Sequence, residues 1–298
     1  MKHLHRQRVQ PLILQALRED LGAGDVTSKA VIPSARRIRA RVLAKASGIV
    51  AGTQIARWVF EAVDRRIRCP IKRRDGQAIR RGQVILALDG PARSILAAER
   101  TALNFLGHLS GIATLTRQFV RQVRGYPVRI MDTRKTLPGL RELEKHAVRV
   151  GGGCNHRRGL DDAVLIKTNH LRAQRIADSV QRRALIQEAI ARAKRVKPRR
   201  FVEIEVVSLK EFKAALEAQP DAILLDNWSV QQIRRAVTIL NAERSTLYAR
   251  PLLEVSGGVT LANVRAIAKT GVDRISIGRL THSASSLDCS LQVVNGSF

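Results

Sequence analysis

Two hydrophobic rhythms divide this chain. Over the first hundred residues the pattern is mixed. Val9, Leu12, Ile13, Ala16 and Leu17 recur at helical spacing until Gly22 and Gly24 stop the run. Ile38, Ala40, Val42 and Ala44 alternate with polar partners, as a half-buried strand does. Thr53 is placed to cap a helix whose apolar positions are Ile55, Ala56, Val59 and Phe60. Short strands are expected around Ile67 to Ile71 and Val84 to Leu88, punctuated by Asp75-Gly76 and Asp89-Gly90-Pro91. Two helical segments follow, Ser94 to Leu109 and Thr114 to Val123.

The rhythm then changes. Strand-like runs at Val128 to Met131, Ala163 to Ile166, Val202 to Val206, Ala222 to Leu225, Leu252 to Val255 and Arg274 to Ile277 alternate with helical runs. The helices are expected near Leu140 to Val148, Ala173 to Arg195, Leu209 to Ala218, Val230 to Leu240 and Leu261 to Lys269. Such alternation implies parallel strands with helices outside. Six strands fall short of the eight of a full barrel. The expected fold is therefore α/β, an incomplete (β/α) barrel behind an N-terminal α+β domain, with domains over residues 1–112 and 113–279. Leu287 to Val294 reads as one more strand.

In a barrel the site lies at the carboxyl ends of the strands. Asp132, Lys167, Glu205, Asp226, Ser256 and Gly278 all fall at or next to those expected ends. Unpaired charges are too costly to bury in a packed core, so charges placed just past apolar strands point into a functional mouth. Met131-Asp132-Thr133-Arg134-Lys135-Thr136, the stretch Gly151 to Leu160 and Ile166-Lys167-Thr168-Asn169-His170 gather cations beside carboxylates. That is the make-up of an anion-binding active site.

Composition narrows the alternatives. The 298 residues suit one large domain or two modest ones, and aromatics make up only 3%, so aliphatic side chains must build the core. Lys and Arg number 53 against 25 Asp and Glu, a net charge of +28. A basic nucleic-acid-binding protein is one reading of that excess. The basic runs are spread over much of the chain and lack interleaved aromatics that would stack bases, so solvated faces are favoured and no specific nucleic-acid partner is expected. Cys69, Cys154 and Cys289 are too scattered for a disulfide framework or a zinc site. The apolar run Pro11 to Leu17 is too short and too polar for a signal peptide or membrane span, and the default expectation is cytoplasmic.

Five motifs in order resemble the quinolinate phosphoribosyltransferase family, whose other name is nicotinate-nucleotide pyrophosphorylase (carboxylating). They are Glu-Arg-Thr-Ala-Leu-Asn at 99–104, Asp-Thr-Arg-Lys-Thr at 132–136, Gly-Gly-Gly-x-Asn-His-Arg-x-Gly-Leu at 151–160, Lys-x-Asn-His at 167–170 and Leu-Leu-Asp-Asn at 224–227. The resemblance runs from about Leu17 to Leu291. It implies a distorted barrel whose C-terminal tail, 280–298, returns to the N-terminal domain, and a homodimer with sites shared between subunits.

The implied reaction joins quinolinate to 5-phosphoribosyl 1-pyrophosphate with Mg2+, releasing pyrophosphate and carbon dioxide, in NAD biosynthesis. Arg134, Arg157 and Lys167 match the positions that hold the substrate carboxylates, with His156 beside them. Lys135 matches a lysine that contacts the phosphoribosyl donor. Glu205 and Asp226 match the catalytic pair that stabilises the ribosyl centre and holds the metal. Glu203 lies on the same strand face and remains the rival of Glu205. Phosphate binding falls to Ser256, Gly257, Gly258 and Gly278, and Arg100 matches an arginine that enters the partner subunit's site. A transferase for another pyridine carboxylate is the alternative, although a monocarboxylate would need fewer cations.

Overall fold

The computed structural model describes residues 4–174, 179–243 and 250–294. In chain order come α1 (Arg6–Leu21), α2 (Val26–Val31), β1 (Arg37–Ala44), β2 (Gly48–Ile49), α3 (Thr53–Val63), β3 (Ala78–Ile79), β4 (Val84–Pro91) and α4 (Ala92–Gln122). Then follow β5 (Arg129–Met131), α5 (Arg141–Gly151), β6 (Val164–Ile166), α6 (Thr168–Arg172), α7 (Ser179–Lys194), β7 (Val202–Val206), α8 (Leu209–Glu217), β8 (Ala222–Asp226) and α9 (Val230–Ala242). The chain closes with β9 (Leu252–Ser256), α10 (Val264–Ala268), β10 (Arg274–Ser276), α11 (Arg279–His282) and β11 (Cys289–Val294). Of the helix expected over Ala173 to Arg195, residues 175–178 lie outside the described residues. No described helix is long and apolar enough to cross a membrane.

The chain folds as two compact units. One comprises Met1–Arg117, Thr136–Gly152 and Arg279–Phe298, the other Gln118–Lys135 and Gly153–Gly278. In the first, β1 is the middle strand of an antiparallel sheet ordered β11-β1-β4, so the tail strand pairs with β1. The alternation in β1 is real: Ala40, Val42 and Ala44 are fully buried while Arg37, Arg39 and Arg41 point the other way.

Three details of this unit differ from the sequence expectation, each for a physical reason. The two helical segments before the second unit are one 31-residue helix, α4. Gly111 does not break it. A side chain there would collide with the Ser285 carbonyl, and at Gly107 with that of Leu287, so both glycines let the 285–287 backbone lie against the helix. Leu287 N–H donates to Gly107 O at 2.9 Å.

Thr53 is not the N-cap of α3; Gly52 is, and it has no side chain with which to cap. The cap comes from Asp75, whose carboxylate accepts Gly52 N–H (2.9 Å), Thr53 N–H (3.0 Å) and the Thr53 hydroxyl (2.7 Å). Residues 136–152, grouped by the sequence pattern with the later segment, pack in the first unit through polar ties that periodicity does not register. His146 meets Asp75 at 3.1 Å, His108 meets the fully buried Glu144 at 2.8 Å, and Arg117 donates to Gly151 O at 2.8 Å.

Burial alone would raise Asp75, but hydrogen bonds from His146, Gly52 and Thr53 outweigh it and hold the carboxyl below its ordinary range. Asp75→Ala should therefore lower stability by about 2–3 kcal/mol, read as a drop in the urea midpoint. Because the folded pKa is depressed, the carboxylate's contribution is full above the unfolded value near ~4 and is lost as pH falls through the lower folded value. The gap between wild type and Asp75→Ala should close in acid, below about pH 4.

The second unit holds six parallel strands ordered β5-β10-β9-β8-β7-β6. This is the cyclic order of a (β/α) barrel opened between β5 and β6, the first two in sequence. No closed barrel forms among the described residues. Helix starts are encoded locally: Ser208 caps α8, and Ser229 with Gln232 forms a capping box on α9.

Candidate active site

The carboxyl ends of the parallel strands carry the residues singled out from the sequence. Asp132 follows β5, Lys167 follows β6, Glu205 is the penultimate residue of β7, and Asp226 and Ser256 end β8 and β9. Gly278 lies two residues beyond β10. The strand interiors are mostly apolar and buried, with Glu203 of β7 and Glu254 of β9 as buried charges among them.

Glu205 and Asp226 face each other electrostatically on neighbouring strands. Burial first, and then the negative charge of Glu205, raise Asp226 above the ordinary carboxylate range, with Asn227, Lys167 and Lys135 pulling the other way. Glu205 accepts Thr168 N–H at 3.1 Å, and Asp226 accepts the Asn227 amide at 2.9 Å. The structure thus brings Lys135, Lys167, Glu205 and Asp226 into one field. Lys135 and Lys167 are exposed.

Arg134 and Arg157 are a second interacting set. Burial, and next the neighbouring Arg134 charge, lower the Arg157 guanidinium from its usual value. Two cations pressed together in this way favour a bound anion that neutralises both. Arg157 is 9% exposed and anchored by a 2.9 Å bond to Ala163 O.

The segment carrying His156 and Arg157 lies at the barrel opening. Cys154 pairs with Met131 of β5, and Cys154 N–H donates to Ile130 O at 2.8 Å. Asp132, fully buried, accepts the Asn155 amide and His156 N–H. The His156 ring reaches inward, with Nε2 2.9 Å from Glu203 and 3.3 Å from Glu254. Its Nδ1 accepts the Arg157 backbone N–H at 2.7 Å.

Burial disfavours a charged His156, but the hydrogen bonds and charges of Glu203 and Glu254 outweigh it and lift the ring to about 9. Burial and the charge of Glu254 likewise raise Glu203. The Arg157 N–H makes Nδ1 an acceptor, which leaves Nε2 as the ring nitrogen that donates to Glu203. The ligand-type atoms of His156, Glu203 and Glu254 lie within 4.8 Å of one another, and a cation there would have to displace the proton on Nε2.

Glu203 and Glu205 are thereby distinguished. Glu203 is 1% exposed and committed to His156, whereas Glu205 is only partly buried and sits at the mouth. Glu254 was not singled out from the sequence, yet it is 0% exposed and in the same cluster, with Arg274 3.8 Å away. A lone carboxylate inside the apolar run Leu252 to Val255 was the available signal.

After β9, Gly257 and Gly258 adopt φ of +88° and +60°. A side chain at Gly257 would strike the Asn227 amide. Glycine lets these backbone amides approach an anion, as phosphate loops require. Arg100 lies in the first unit, exposed on α4.

Cations and carboxylates gathered at the carboxyl edge of a parallel α/β sheet have the make-up of an enzyme site for anionic substrates. Residues 25–110 match the model of the quinolinate phosphoribosyl transferase N-terminal domain and residues 112–292 that of its C-terminal domain. A nicotinate-nucleotide pyrophosphorylase [carboxylating] of Mycobacterium leprae is 41% identical over 285 residues, covering 94% of this chain and 95% of that protein. Quinolinate phosphoribosyltransferase [decarboxylating] 1b of Nicotiana tabacum is 39% identical, covering 95% and 81%. The solved nicotinate-nucleotide pyrophosphorylase of Francisella tularensis superposes with a TM-score of 0.87 at 37% identity over 98% of both chains. The chain belongs to the quinolinate phosphoribosyltransferase family.

Proposed function

We propose that this enzyme transfers the phosphoribosyl group of 5-phosphoribosyl 1-pyrophosphate to the ring nitrogen of quinolinate and releases carbon dioxide, giving nicotinate mononucleotide and pyrophosphate in NAD biosynthesis. One observation carries the reading. Two mutually repelling cations, Arg134 and Arg157, and a mutually repelling carboxylate pair, Glu205 and Asp226, occupy the same strand ends. The first suits a dicarboxylate; the second suits a centre that develops positive charge.

Arg134, Arg157 and Lys167 hold the two ring carboxylates and aim the ring nitrogen. Lys135 engages the phosphoribosyl donor, and the amides after β9 with Gly278 take its phosphate. As pyrophosphate leaves, Glu205 and Asp226 stabilise the positive ribosyl carbon and bind its hydroxyls. The new quaternary nitrogen then accepts the electron pair left when the adjacent carboxylate departs. The oxygen-only pair Glu205 and Asp226 also fits Mg2+, which would neutralise the departing pyrophosphate. The three cysteines are free, in keeping with a reducing cytoplasm. The exposed Arg100 supports a homodimer in which α4 serves the neighbouring site.

Substrate competition tests the reading. Removing one carboxylate forfeits a charge-assisted contact of about 1.5–3 kcal/mol. Quinolinate should therefore exceed nicotinate in kcat/KM by about tenfold or more. Equal values would assign the site to a monocarboxylate.

A further inference from the structure

The fold gathers within the first unit two basic runs that lie apart in the sequence, Arg36-Arg37 and Arg65 to Arg68, which the proposed reaction does not use. Arg65 and Arg68 line a hollow of about 970 Å³ together with Arg6 of α1 and Arg57 of α3, with buried Ile67 and Cys69 among its walls. Arg36, Arg37 and Arg39 line a second hollow of about 450 Å³ at the start of β1.

The two hollows meet across the sheet. Arg68 N–H donates to Asp89 O at 2.8 Å and Asp89 N–H to Arg68 O at 3.0 Å, while the Asp89 carboxylate accepts Arg37 at 2.6 Å and Arg39 at 3.3 Å. Arg68, Asp89 and Arg39 are directly opposite one another in antiparallel register, so their side chains stand on the same side of the sheet. Arg68 belongs to the first hollow and Asp89 to the second, which makes the two a single face.

Charge sets what this face can hold. Seven arginines line it against two carboxylates, Glu61 and Asp89, and both carboxylates are already shared. Glu61 accepts Arg6 at 2.8 Å and Arg57 at 2.7 Å, as Asp89 accepts Arg37 and Arg39. Arg36, Arg65 and Arg68 are exposed, and their side chains have no hydrogen bond or ion pair among the described residues. The excess draws a polyanion. No lining residue is aromatic, so an unpaired base finds no ring to stack on, and only Val293 is an exposed large apolar side chain, too little for a lipid interface or a protein hot spot. Duplex nucleic acid requires neither anchor, because it carries about one negative charge per 1.7 Å of its axis.

We propose that this arginine face is a docking surface for the phosphate backbone of duplex nucleic acid, held without regard to base sequence. Each phosphate neutralised releases a counterion, so the binding is electrostatic and falls steeply with salt. It is independent of the reaction assigned above.

Fluorescence anisotropy of the whole chain with two short DNA duplexes of unrelated sequence tests this. The two should bind within about threefold of one another, and log affinity should fall against log salt with a slope of about −3 or steeper. The combined variant Arg36→Gln, Arg37→Gln, Arg65→Gln, Arg68→Gln should weaken binding about tenfold or more at fixed salt and flatten the slope, with quinolinate kcat and KM within about twofold of wild type. A control, Arg124→Gln, Arg195→Gln, Arg235→Gln, Arg265→Gln, removes the same charge from exposed positions of the other unit and should cost no more than about threefold. Equal losses in the two variants would show diffuse attraction to a basic protein and overturn the proposal. So would sequence-selective binding, which requires base contacts, or no binding at low salt, which leaves the arginines as solvated charges. Vesicles containing phosphatidylserine that displace the duplex at equal or lower charge concentration would reassign the face to a membrane surface.

Discussion

Asp226→Ala and Glu205→Ala each lower kcat by about 10²-fold or more while the fold and urea midpoint stay close to wild type. The expectation follows from the placement of the two carboxylates. Each sits at a strand end, partly buried, where its charge is poorly screened, and the charge of Glu205 adds to burial in raising Asp226. A like-charged pair of this kind gains most when positive charge appears between its members, which happens as pyrophosphate departs. The loss should accordingly appear in kcat rather than in the quinolinate KM. Stopped turnover after Glu203→Gln, with Glu205→Ala unimpaired, would transfer the role to the deeper residue.

Arg100→Ala weakens quinolinate use by about 10- to 150-fold, the worth of one charge-assisted hydrogen bond of roughly 1.5–3 kcal/mol. Arg100 is exposed on α4, while its neighbours Thr101, Ala102 and Leu103 are buried in the first unit. The expectation of action in trans rests on the proposed homodimer, in which an exposed arginine is free to meet a neighbouring subunit. Mixing Arg100→Ala with Lys167→Ala and allowing subunit exchange tests action in trans. Each mixed dimer would then possess one site built from intact halves, and activity should return. Exchange demonstrated without recovery would confine Arg100 to its own chain, and a lowered thermal midpoint without a kinetic defect would make it structural.

The βα series was legible because strands buried on both faces read as short apolar runs, Ala222 to Leu225 being the clearest. The strand-end residues followed from the same pattern, since Asp226 is the first charge after such a run. What was not legible depends on distant side chains. Gly111 looks like a helix breaker until the backbone of Ser285 is seen against it. Thr53 looks like a cap until Asp75, 22 residues later, takes that role. The barrel opening between β5 and β6 leaves no periodic trace, because the segment beside it is held by Asp132, Glu203 and Glu254 rather than by apolar packing. Glu203 and Glu205 share a strand face, so alternation does not separate them; nearness to the strand end ranks Glu205 first, and burial with the reach of His156 sets Glu203 apart.

Transfer to the ring nitrogen and loss of its neighbouring carboxylate are expected to be one reaction at one site. Quinolinate isotopically labelled in the carboxylate next to the ring nitrogen, turned over with phosphoribosyl pyrophosphate and Mg2+, measures this directly. The expected result is labelled carbon dioxide and pyrophosphate in equal amounts, with no label in the nucleotide. Label retained in the nucleotide, or pyrophosphate released without carbon dioxide, would contradict it.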